Sequence, residues 1–216
     1  MIYNKETATT ISDFLLQITA IKLNNDNPFT WASGMRSPIY CDNRVTLSYP
    51  KIRTHIRQKF VSAIQDVFGE VEVIAGVATG AIAQGALVAE AMGLPFVYIR
   101  SESKKHGLTN LIEGHIEAGQ SVVVVEDLIS TGGSSLKAVN ALREAKCDVK
   151  GMVAIFSYQL PVATENFKKE KCKLITLADY DTMIGRAAEN KYIKESDIAS
   201  LSEWRNDPKK WSEKYI

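Results

Sequence analysis

The chain has 216 residues, 45% hydrophobic and 24% charged, and its 26 Lys and Arg against 25 Asp and Glu leave a net charge of +1. This length builds one well-packed core with at most a small appendage, and the composition is that of an ordinary globular protein. The near-neutral balance argues against a dedicated nucleic-acid surface, which carries a marked basic bias, and no apolar run reaches the roughly 20 residues of a membrane helix.

The N-terminal stretch carries Glu6 and Asp13 and has no uninterrupted apolar core, so it does not read as a signal peptide. Cys41, Cys147 and Cys172 are scattered, without the Cys-x-x-Cys spacing of zinc or redox sites. Cys147 and Cys172 read as small buried hydrophobes, and the expected compartment is the cytoplasm.

Ile11, Phe14, Leu15, Ile18 and Ile21 recur at helical spacing, with Thr10 or Ser12 as candidate caps. Residues 29–44 are turn-rich and partly extended, with a turn at Ser33-Gly34 and extended backbone before Pro38. Ile52, Ile56, Phe60, Ile64 and Val67 mark a second helix ending at Gly69. Strands are then expected at 71–75, 96–100, 121–125, 151–156 and 174–177. Helices are expected after the 76–80 turn, at 135–145, 161–171, 179–190 and 195–204, while 101–114 is a polar loop without periodicity. Such alternation predicts an α/β fold: a central parallel sheet with right-handed crossovers, flanked by helices. Ligands of these sheets bind beyond the carboxyl ends of the strands. That rule gathers the 78–80 turn, the loop after Arg100 and the 126–134 loop on one rim.

The most informative stretch is 122–135, VVVVEDLISTGGSS. Four valines suit a strand buried on both faces. Glu126 and Asp127 follow where the strand should emerge, and a small hydroxyl- and glycine-rich turn then leads into a helix. Unpaired amides and the positive dipole end at such a helix start suit a phosphate. The acids lie too far upstream to share that phosphate and are better placed to accept from sugar hydroxyls. Read blandly, the acids are merely solvated and the Ser and Thr are helix caps. The string resembles the phosphoribosyl-pyrophosphate (PRPP) signature of type I phosphoribosyltransferases, and it lacks the Gly-Lys-Ser/Thr ending of a Walker loop.

Two further segments narrow the resemblance. Arg100, Lys104, Lys105 and His106, followed by Gly107, place several cations on a loop leaving the same sheet edge. Cations closing over pyrophosphate would stabilise the charge that develops as it departs. Residues 29–44 read FTWASGMRSPIYCDNR, and with the other two segments, in this order, they resemble the orotate phosphoribosyltransferase family. Its members show Phe-Thr-x-x-Ser-Gly-x-x-Ser-Pro-x-Tyr in an N-terminal hood, then a basic lid, then the PRPP loop. The resemblance covers roughly residues 22–177.

The resemblance implies a single type I phosphoribosyltransferase domain, with residues 1–45 contributing the hood, about 46–180 the α/β core and 181–216 a helical tail. It implies that Arg100, Lys104 and His106 act on the pyrophosphate and that Glu126 and Asp127 bind the ribose hydroxyls. Leu128, Ile129, Ser130, Thr131, Gly132, Gly133 and Ser134 would hold the 5-phosphate, and Tyr40, Cys41 and Ser130 the orotate. It further implies Mg²⁺ held mainly by PRPP and water, and a homodimer whose lids are shared between subunits. The expected reaction joins PRPP and orotate in pyrimidine biosynthesis, with no nucleic-acid or membrane partner. The chain departs from many family members at Ala32, at Ser101, at Ala78-Thr79 and at Phe156-Ser157-Tyr158, where basic residues or Tyr-Lys are common. Lys22, Arg36 and Lys105 are candidate replacements for the lost charge. Two rival readings are a transferase for another base, such as a purine, and a PRPP-sensing regulator that binds nucleic acid without turnover.

Overall fold

A computed structural model of the chain describes residues 1–31, 33–100 and 111–215. The N-terminal part runs α1 (Lys5–Gln17), β1 (Ile21–Leu23), β2 (Phe29–Thr30), β3 (Arg36–Ser37) and β4 (Ile39–Cys41), then a 3-10 turn over Asn43–Ser48 and α2 (Pro50–Phe68). The alternating part is β5 (Val73–Val77), α3 (Ile82–Met92), β6 (Phe96–Ile99), β7 (Ile112–Glu113), β8 (Ser121–Ile129), α4 (Gly133–Glu144), β9 (Asp148–Ser157), α5 (Pro161–Lys169) and β10 (Leu174–Asp179). Helices α6 (Tyr180–Glu189), α7 (Asp197–Asn206) and α8 (Pro208–Ser212) close the chain.

Six strands form the central sheet in the order β10-β9-β8-β5-β6-β7. All neighbours are parallel except β6 and β7, which are antiparallel. The four valines of β8 explain why the sheet is buried on both sides. Val123 and Val125 pack with Ile11, Leu15, Ile56 and Phe60. Val122 and Val124 point the other way, toward Leu136, Val139, Leu142 and Phe167. All four are fully buried, and each contributes roughly 1.5–3 kcal/mol by leaving water.

From β5 the chain moves outward to β6, then returns to place β8 on the other side of β5. The crevice beyond the carboxyl ends of β5 and β8 is therefore the topological switch point, the usual ligand position in an open α/β sheet.

Several boundaries differ from those expected. Asn4 caps α1, accepting from the Thr7 amide at 2.8 Å, in place of Thr10 or Ser12. The first turns of that helix, KETATT, are polar and give no periodic signal. Strand β5 runs through Gly76 and Val77, which the sequence suggests are a turn. Strand β8 extends to Ile129 rather than stopping at Val125, because β9 is long enough to pair with Glu126, Leu128 and Ile129. The two acids thus lie inside the strand. The two-residue strand β7 and the short helix α8 have too little pattern to be read from sequence.

Candidate active site

The overrun of β8 creates the site. Its pairing with β5 ends at Gly76 and Val125, so 126–129 keep a ladder partner only on the β9 side. The open edge faces the turn that follows β5, which contains the cis Ala78–Thr79 peptide. A hollow of about 360 Å³ opens there, lined by Val77, Ala78, Thr79, Gly80, Glu126, Asp127, Leu128 and Ser134, and by Cys41, Asp42 and Arg44 from the N-terminal segment.

The neighbouring acids have different surroundings. Glu126 is 5% exposed. Its Oε2 accepts from the Ser135 hydroxyl at 2.8 Å and its Oε1 from the Asp127 amide at 3.0 Å. Burial first, and then the adjacent Asp127 carboxyl, push the Glu126 carboxyl well above the ordinary carboxylate range. The Ser135 hydroxyl and the Asp127 amide oppose that shift without overcoming it. Asp127 is half-buried, and its carboxylate lies against Gly80. Its carbonyl, without a β5 partner, accepts from Asn43 Nδ2 at 2.6 Å.

The loop after β8 leads directly into α4. Gly132 takes φ +79° at the helix entry, and a side chain there would meet Phe167 at 2.7 Å, so both backbone and space require glycine. No side chain caps α4. The first helical bond runs from the Leu136 amide to the Gly132 carbonyl at 2.9 Å. The amides of Gly133, Ser134 and Ser135 are therefore not used by the helix itself and form an anion cradle with the dipole behind it. From α5, Asn166 braces the loop by donating to the Thr131 carbonyl at 3.0 Å.

A second hollow of about 230 Å³ adjoins the first, sharing Cys41 and Leu128. Thr30, Trp31, Tyr40, Ser130 and Tyr158 complete its lining. Trp31 stacks on Tyr158 with ring centroids 5.4 Å apart, and Trp204 of α7 meets both rings edge-on at 5.7 and 5.6 Å. The C-terminal helices thus form the outer support of this wall, with Trp204 and Trp211 fully buried. The Arg36 amide also donates to the Ser212 hydroxyl at 2.8 Å.

Backbone register decides which main-chain groups face the hollow. The Asp42 amide bonds the Ala20 carbonyl and the Asn24 amide bonds the Pro38 carbonyl, both at 2.8 Å. Alternation along an antiparallel pair then makes Lys22 and Tyr40 a hydrogen-bonded pair and turns the amide groups of Cys41 away from β1. Burial holds the Tyr158 phenol well above its usual range. Burial, followed by the charges of Asp127 and Asp42, likewise raises the Cys41 thiol.

The expected site residues are distributed as follows. Glu126, Asp127, Leu128 and Ser134 line the larger hollow, while Tyr40, Cys41 and Ser130 line the smaller one. The side chain of Ile129 is buried in the core and Thr131 is exposed. Gly132 and Gly133 lie at the start of α4. Arg100, at the end of β6, lines neither hollow and pairs with Glu113 at 3.4 Å. Lys104 and His106 lie outside the described residues, as do Ala32, Ser101 and Lys105.

Comparison with known proteins narrows what such a pair of hollows belongs to. The phosphoribosyl transferase domain family matches residues 47–208. Orotate phosphoribosyltransferase of Porphyromonas gingivalis is 56% identical over 201 residues, covering 93% of this chain and 96% of that protein. The Bacteroides thetaiotaomicron protein of the same name is 59% identical over 197 residues, covering 91% and 93%. The chain belongs to the orotate phosphoribosyltransferase family. The crystal structure of orotate phosphoribosyltransferase from Aeropyrum pernix superposes with a TM-score of 0.71 at 25% identity, covering 85% of this chain and 99% of that one.

Within the orotate phosphoribosyltransferase family, this chain carries structural residues near the site whose roles its motifs do not announce. Ser135 and Asn43, both buried, hold the two acids in place. Ser135 closes the 122–135 stretch and reads as an ordinary helix residue, while Asn43 lies in 29–44 beyond Tyr40, where the hood pattern ends. Trp31, Tyr158 and Trp204 come from three distant segments, so their assembly has no local signal. Arg36, a candidate replacement cation, donates to Thr30 Oγ1 at 2.9 Å on the rim of the smaller hollow.

Proposed function

We propose that this family member transfers the 5-phosphoribosyl group of PRPP to orotate, releasing pyrophosphate and forming orotidine 5'-phosphate, a reaction of de novo pyrimidine (UMP) biosynthesis. The observation that carries this reading is the pair of hollows joined at Cys41 and Leu128: one acidic and beside a phosphate cradle, the other walled by aromatic rings.

In this reading the amides of 133–135, with Ser130 and Thr131, hold the 5-phosphate, and Leu128 and Ile129 contribute through the backbone. Asp127, with Glu126 behind it, accepts from the ribose 2- and 3-hydroxyls. The flat pyrimidine lies against Trp31 and Tyr158 and meets the main chain at Cys41, with Tyr40 and Ser130 on its edges. The C1–O bond to pyrophosphate breaks as the C1–N bond forms, so positive charge gathers on the sugar and negative charge on the leaving group. Positioning and electrostatics then do most of the catalysis. Arg100, Lys104 and His106 are assigned to the leaving group, with the lid contributed across a homodimer.

Among the described residues no cluster of three or more His, Cys, Asp or Glu side chains is placed to hold a metal. The donors on the larger hollow are carboxylates such as Asp127, which suits Mg²⁺ arriving on pyrophosphate and ribose oxygens with most of its waters retained. When bound, Mg²⁺ would neutralise charge on the departing pyrophosphate. We assign residues 1–45 to a hood, about 46–180 to the core and 181–216 to a supporting tail. We assign the protein to the cytoplasm, a setting that suits three free cysteines, Cys172 being pushed up to about 11 by burial. Incubation with PRPP, Mg²⁺ and, separately, orotate, adenine, hypoxanthine and uracil tests the reading. Turnover of orotate alone supports it, and preferential turnover of a purine overturns it.

A further inference from the structure

One buried residue hydrogen-bonds lining residues of both hollows, and we infer that Asn43 is a positioning residue that sets the geometry of both at once, an inference that rests on the function proposed above. Asn43 is 2% exposed and sits where β4 gives way to the 3-10 turn. Its Nδ2 donates to the Asp127 carbonyl at 2.6 Å, the group left without a ladder partner by the overrun of β8. Its Oδ1 accepts from the Cys41 thiol at 3.4 Å. Its own carbonyl accepts from Thr46 Oγ1 at 2.6 Å, and Thr46 Oγ1 in turn accepts from Gln84 Nε2 of α3 at 3.4 Å. One side chain therefore holds the residue that faces the sugar and the strand that faces the base. No other hydrogen bond among those described joins residues 39–48 to residues 126–134.

The arrangement has a consequence for binding. A buried carbonyl stripped of its donor shifts to find another partner, and Asp127 shifts with it, away from the ribose hydroxyls. The same substitution frees Cys41, whose main chain faces the base. Loss of Asn43 should thus weaken both substrates together, whereas a residue of one hollow affects one substrate.

Steady-state kinetics with both substrates varied tests this in the full-length protein. For Asn43→Ala, KM should rise about tenfold for PRPP and for orotate alike, the effect of losing one buried hydrogen bond at each. Thr46→Val, which keeps the shape of its side chain, should raise both by a smaller factor and guards against a variant that fails to fold. Tyr158→Phe, the control confined to one hollow, should raise KM for orotate only. A lower Tm with both KM values unchanged, or a rise in one KM alone, would overturn the inference. Absence of orotate turnover in the parent chain would overturn the proposed function as well.

Discussion

A Cβ placed on Gly80 would lie 2.3 Å from Oδ2 of Asp127. The carboxylate that lines the larger hollow therefore rests directly on the backbone of the turn after β5, and the glycine is what lets the two approach.

Gly80→Ala follows from this contact. The clashing atom is the end of a movable side chain, so the fold should survive, with Tm lowered by only a few degrees. Asp127 must swing away, and kcat/KM for PRPP should fall about tenfold or more. Thermal unfolding and initial-rate measurements on the same preparation separate the two effects. Unchanged kcat/KM would show that the position of Asp127 is not used.

Glu126→Gln probes the buried acid. Because its folded carboxyl titrates well above the ordinary value of 4.5, the folded chain keeps a proton that the unfolded chain has released. Stability contributed by this group is therefore greatest in acid and declines as pH rises from 4.5 toward the folded value. Gln keeps an acceptor for the Asp127 amide and can donate to the Ser135 hydroxyl, but it cannot ionise. Its Tm relative to the parent should improve steadily from acidic to alkaline buffer, and a difference that does not change with pH would contradict the assignment.

Trp204→Ala tests the tail as a support for the base. Trp204 is fully buried and also packs on Tyr180, with centroids 5.4 Å apart. Its removal should cost about 3–5 kcal/mol of stability. Below the lowered Tm, KM for orotate should rise while KM for PRPP holds, because only the stack of Trp31 on Tyr158 has lost its backing. Chemical denaturation and the two KM values measure this.

Lys104→Ala tests the cations assigned to the leaving group. Removing one charge-stabilising donor from a developing anion typically costs about 10²-fold or more in kcat. Single-turnover rates at saturating substrates are the measurement, and an unchanged rate would remove Lys104 from the mechanism.

The sheet and its helices were legible because buried parallel strands write themselves as runs such as VVVV, and amphipathic helices as repeats such as Ile52, Ile56 and Phe60. The turn between β8 and α4 was legible because its glycines and hydroxyls answer a local backbone requirement, which Gly132 meets at φ +79°. The limits of β8 were not legible: whether Glu126 and Asp127 leave the strand depends on the length of β9, a tertiary fact. The aromatic wall was hidden for the same reason, since Trp31, Tyr158 and Trp204 meet only after the tail folds back. Asn43 illustrates the general case. Its importance arises from a carbonyl that another strand fails to pair, and nothing in the residues around it records that.

The most direct test of the account is the loss of orotate absorbance when the purified chain is mixed with PRPP and Mg²⁺. Absorbance should fall only when PRPP, Mg²⁺ and protein are all present, with one pyrophosphate released for each orotate consumed. Stable absorbance under those conditions, or pyrophosphate release that does not depend on orotate, would contradict it.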